Sequence, residues 1–159
     1  MMGSLVDWMS SLLQKLAALL LVLMMLVTCA DVVGNLLGKP VLGAEELVSL
    51  LAALVLAFVL PKAHLDRAHI GIELVYRSLG PATRKCNDIF VGLISLAFFL
   101  LASWQCFEYA DDLRDSGEVS ATLELPFYYI LYAISLSTLV LALAILQDLL
   151  QTWRRNRHE

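Results

Sequence analysis

Charge is scarce in this chain. Charged residues occupy 16% of its 159 positions, against roughly 25% in an ordinary soluble domain, while hydrophobic residues supply 60%. That balance argues against a globule surrounded by water. Cysteine is nearly absent as well: Cys29, Cys86 and Cys106 are odd in number and lack metal-type spacing, so neither a disulfide framework nor a zinc site is signalled. The chain also has no Gly-rich phosphate loop, no nucleophile elbow and no metal-binding His-Glu motif. No active site is indicated, no enzyme and no nucleic-acid partner are expected, and no internal repeat divides the chain.

What it does have is long apolar runs. Ile89 to Phe107 and Leu125 to Gln147 carry no charge, and each is long enough to cross a hydrocarbon core about 30 Å thick as a helix. Leu16 to Leu37 is comparable but contains Asp31 and Asn35, and Val41 to Leu60 has Glu45 and Glu46 near its start. Lipid offers no partner to an exposed backbone, and runs this long without alternating polarity do not suit barrel strands. The expected fold is an all-α integral membrane protein, a single domain with transmembrane helices at about 16–37, 41–61, 88–108 and 125–148. A cleaved leader is not expected: only Lys15 precedes the first run, its apolar character resumes past Asp31, and Leu26-Val27-Thr28-Cys29 carries a poor residue for lipoprotein processing just before the cysteine.

The cations fix an orientation. Lys15, Lys62, Arg67, Arg77, Arg84, Lys85, Arg154, Arg155 and Arg157 fall on one side of the layout, and only Lys39 and Arg114 on the other. The positive-inside bias then places both termini and the second link in the cytoplasm. Asp111, Asp112, Asp115, Glu118 and Glu124 make the opposite face acidic.

Candidate functional residues lie near the ends of the runs. Asp31 and Asn35, four apart, share a helix face toward the outer leaflet, at roughly the depth of Glu45 and Glu46. Ionisable groups in a membrane often mark ion or proton routes; glutamates opening a span also complement the positive end of a helix dipole. His64 and His69 follow the second run closely. Convergence on a haem iron would need packed helices, so interfacial histidines are the simpler reading. From 66 to 79, Asp66, His69, Glu73 and Arg77 align opposite Ala68, Ile72, Val75 and Leu79, which predicts an interfacial amphipathic helix in the cytoplasmic link, resting on lipid headgroups or serving as a docking ledge. Pro126 suits the first turn of the last helix. Trp8, Trp104, Trp153, Tyr128 and Tyr129 lie near span ends, with Arg77, as lipid-interface candidates.

Glu45-Glu46 opens the second span, Arg67-Ala68-His69-Ile70-Gly71-Ile72-Glu73 follows it, then come Leu79-Gly80-Pro81 with Arg84, and Thr122-Leu123-Glu124-Leu125-Pro126 leads into the fourth span. In these marks the chain resembles the small membrane subunit, DctQ-like, of tripartite ATP-independent periplasmic (TRAP) transporters. It departs from that pattern at Leu42-Gly43-Ala44, where an aromatic residue is common. The resemblance implies a non-catalytic subunit of the bacterial inner membrane that scaffolds a large multi-span subunit, served by a periplasmic solute-binding protein in uptake of a carboxylated solute. It implies no cofactor in this chain, with sodium bound by the large subunit. Asp31, Asn35, Glu45, Glu46, Arg67 and His69 are then candidate partner contacts. Two rival readings are an autonomous proton-coupled cation exporter using Asp31, and a haem-bearing anchor using His64 and His69.

Overall fold

The computed structural model describes residues 2–66, 81–120, 122, 123 and 125–155. Four long helices carry these residues: α1 (Met2–Leu36), α2 (Ala44–Leu65), α3 (Pro81–Ser116) and α4 (Tyr128–Arg155). Each contains a stretch long and apolar enough to cross a membrane. The helix expected over 66–79 falls outside the described residues beyond Asp66, which closes α2 by donating its backbone N–H to the Lys62 carbonyl at 2.9 Å.

The helices outrun their apolar runs. At 1.5 Å per residue the 35 residues of α1 extend about 52 Å, well past a hydrocarbon core of about 30 Å. Polar residues such as Gln14 and Lys15 are good helix formers and do not end it. Thus α1 ends where Gly38 takes φ +70°. The Gly38 N–H bonds the Asn35 carbonyl at 3.1 Å and the Lys39 N–H bonds the Gly34 carbonyl at 2.8 Å, a Schellman closure that needs a left-handed residue after the helix. Pro40 then prevents resumption. Similarly, α3 stops at Gly117, with φ +67°. Pro126 differs from expectation: α4 starts at Tyr128, and Pro126 instead pairs with Val119 in an isolated antiparallel bridge. The Ser120 N–H donates to the Leu125 carbonyl at 2.9 Å, so Val119 and Ser120 pair with Leu125 and Pro126 and, with Thr122 and Leu123, form a small strap ahead of the helix.

Helices α1, α2 and α4 share the core, in which Leu13 and Ala17 meet Ala57, Phe58 and Val140. On α1 the receding positions are Val6, Ser10, Leu13, Ala17, Leu20 and Met24, continuing through Val27 to Asp31 and Gly34. They alternate in steps of four and three, the seam of a left-handed pair, and α2 is the neighbour packed along it. Helix α3 stands at the edge, packed mainly on α4.

Serines bolt these helices together. Pro61 lies inside α2 and has no N–H to offer the carbonyl four residues earlier, that of Ala57. The Ser137 hydroxyl of α4 donates to that oxygen at 2.7 Å. Two residues nearer the α4 start, the Ser135 hydroxyl donates to the Ser103 carbonyl at 2.8 Å, and the Ser103 hydroxyl returns a bond to the Ser135 carbonyl at 3.0 Å. Interhelical bonds from small hydroxyl residues suit a lipid setting, where apolar contact alone gives helices little preference for each other over lipid.

Candidate functional site

The α1–α2 link and the strap gather at one end of the bundle, the upper end. Gly43, with φ +80°, caps α2 there, and the Leu47 N–H donates to its carbonyl at 2.9 Å. Asp31, on the α1 seam, accepts a bond from the Val41 N–H at 3.1 Å on Oδ1. Glu46, in the first turn of α2, accepts one from the Thr122 N–H at 3.3 Å on Oε2. Two carboxylates therefore hold the link and the strap against the helix heads. A leucine completes the clasp: a Cβ built on Gly43 would come within 2.7 Å of the Leu123 side chain, so the strap rests directly on the cap glycine.

Asp31, Asn35, Glu45 and Glu46 all line one open cleft of about 410 Å³, together with Pro40 and Thr122. The four upper candidates from the sequence are thus brought together. Glu45 and Glu46 also sit in the first turn of α2, where the unpaired N–H groups favour negative charge. Among the described residues no group of three His, Cys, Asp or Glu side chains converges as metal ligands would.

Arg67, His69 and Arg77 fall outside the described residues, and so does the side chain of Trp153 in the last turns of α4. His64 lies in the last turn of α2, beside the Lys62 to Asp66 ion pair at 2.8 Å. Trp104 is 73% exposed on α3, and its indole N–H donates to Glu108 Oε2 at 3.2 Å. The rings of Tyr128 and Tyr129 stack at 4.2 Å at the head of α4. Close by, the Tyr132 hydroxyl donates to Asp111 of α3.

Sequence reasoning passed over Ser103, Ser135 and Ser137. Their signal was available: isolated small hydroxyl residues deep in apolar runs are the residues that bond across membrane helices. The arrangement they create is a braced bundle with its link and strap pinned at one end.

The family model for tripartite ATP-independent periplasmic transporters, DctQ component, matches residues 24–155. No curated protein and no solved structure matches the chain. The family match covers most of the chain, from within α1 through α4, and it favours the subunit reading over an autonomous exporter or a haem anchor. The chain belongs to the DctQ family and is the membrane component of that name in a TRAP transporter, a non-enzymatic multi-pass membrane protein.

Proposed function

We propose that this chain is the fixed scaffold of its transporter, anchoring the large membrane subunit during sodium-coupled uptake of a carboxylated solute brought by a periplasmic binding protein. Both termini and the 66–79 link lie on the cytoplasmic side of the inner membrane. Asp31, Asn35, Glu45 and Glu46 face the periplasm, and Arg67 and His69 belong to the cytoplasmic link as candidate contacts for the large subunit.

The observation that carries the reading is the use made of the mid-bundle polar groups. Ser103, Ser135 and Ser137 are buried and each hydroxyl donates to a carbonyl of a neighbouring helix. A solute path needs polar groups turned toward the solute; these are turned toward other helices. Charge supports the same reading. Asp112, Asp115 and Glu118 lie exposed at the upper end, and an acidic approach disfavours a carboxylate, so capture belongs to another polypeptide.

The test is uptake in proteoliposomes under an inward sodium gradient with the binding protein present. Vesicles holding both membrane subunits should accumulate solute, and vesicles holding this chain alone should accumulate none. Uptake by this chain alone would overturn the scaffold role.

A further inference from the structure

We propose that the upper half of the outward face of α3, around Leu101, Trp104, Gln105 and Glu108, is where this chain docks the large membrane subunit, through a helix that brings hydrogen-bond donors to that depth. The proposal rests on the subunit reading above and adds the surface.

Ser103 and Ser135 are bonded reciprocally and so share a level. Gln105 is two residues above Ser103, about 3 Å, whereas Tyr128 is seven residues above Ser135, about 10 Å. Gln105 therefore lies about 7 Å deeper than Tyr128, which opens α4 with Tyr129 as an aromatic pair of the kind that favours the headgroup level; Trp104, at the depth of Gln105, is then inside the span and not at its end as the sequence suggests. Glu108 lies about 3 Å deeper than Tyr128 by the same count. Both side chains are exposed. The indole of Trp104, one turn deeper, holds a Glu108 oxygen at 3.2 Å, which directs the carboxylate toward the membrane interior and away from water.

Acyl chains satisfy neither an amide nor a carboxylate, and ionisable or strongly polar groups within spans usually face protein or water. Two other exposed stretches contrast with this one. On α1 the exposed residues include Leu19, Val22 and Leu26, and on α4 they include Leu136, Leu139 and Leu143, as lipid contact requires. Helix α3 packs mainly on α4, which leaves its opposite face available. An acceptor pair at this depth, flanked by the exposed aromatics Phe98 and Trp104, complements a helix bearing donors such as Ser, Asn or Arg.

A photoreactive phenylalanine analogue placed at Leu101 or Gln105, in the complex assembled in native membranes, should crosslink to the large subunit. The same probe at Leu19 or Leu136 should label only lipid. Separately, Gln105→Leu should leave the thermal midpoint of the isolated chain unchanged while lowering retention of the large subunit in mild detergent about threefold or more. Crosslinks to the large subunit from Leu19 or Leu136 but not from α3 would overturn this surface and leave the scaffold role standing, as would crosslinks from α3 to a second copy of this chain. Failure of any large subunit to copurify with the unsubstituted chain would overturn both.

Discussion

The upper end and the outward face of α3 both present acidic or amide side chains, but they use them differently. At the upper end, Asp31 and Glu46 accept bonds from the Val41 and Thr122 N–H groups, so the chain meets the needs of its own backbone. On α3, Gln105 and Glu108 sit exposed on a spanning helix, with Trp104 as the one partner from this chain that orients Glu108. The difference separates residues that build this subunit from residues that connect it. Disturbing the first kind should change the stability of the isolated chain, and disturbing the second should change only the assembly.

The largest effect is expected at the cap. Gly43→Val forces a β-branched residue to φ +80° and into Leu123, which a Cβ would already approach to 2.7 Å. The left-handed conformation alone costs a non-glycine residue roughly 1–2 kcal/mol, and displacement of the strap adds to it. A thermal melt of the purified chain in detergent should show a clear drop in midpoint.

Next comes Ser137→Ala, which leaves the Ala57 carbonyl without a donor and should cost about 1 kcal/mol. A double-mutant cycle sharpens this prediction. Beside Pro61→Ala, the restored backbone N–H at 61 can reach the Ala57 oxygen, so the same serine change should cost measurably less. Equal costs in the two backgrounds would disconnect the serine from the proline.

Asp31 provides a smaller contrast. Asp31→Asn keeps a carbonyl oxygen to accept from Val41 and should leave stability and uptake near the original. Asp31→Ala removes the acceptor and should lower stability by about 0.5–1 kcal/mol. Loss of uptake in Asp31→Asn with stability intact would instead favour a proton-carrying role. The smallest effect on the isolated chain is expected for Gln105→Leu, within about 0.5 kcal/mol of zero, as measured by the same melt.

The sequence made some of this architecture readable and hid the rest for physical reasons. Four apolar runs announce themselves because a bilayer demands long uncharged helices. Gly38-Lys39-Pro40 reads as a stop, since only particular residues close a helix that way. The clustering of Asp31, Asn35, Glu45 and Glu46 follows from the short link between two antiparallel spans. Which face of each helix turns inward is not legible from hydrophobicity, because these helices are apolar all round. On α1 the receding Leu13, Ala17 and Leu20 are no more apolar than the exposed Leu12, Leu16 and Leu19. The pairing of Ser137 with Ala57 joins positions 80 residues apart, and no local pattern encodes that separation. Apolar runs report where lipid lies, whereas the glycine turns at Gly38 and Gly117 and the strap decide where the described helices stop.

The claim that the bundle is fixed while its partner moves can be tested by locking it. The Ser103 and Ser135 hydroxyl oxygens lie 3.4 Å apart between α3 and α4, so a Ser103→Cys, Ser135→Cys pair, in a chain with Cys29, Cys86 and Cys106 replaced, is placed to form a disulfide across the seam. With closure verified by mass, sodium-driven uptake by the assembled transporter should be the same in the oxidised and reduced states. Uptake that stops on oxidation and returns with reductant would show that α3 and α4 must move against each other, which a scaffold does not do.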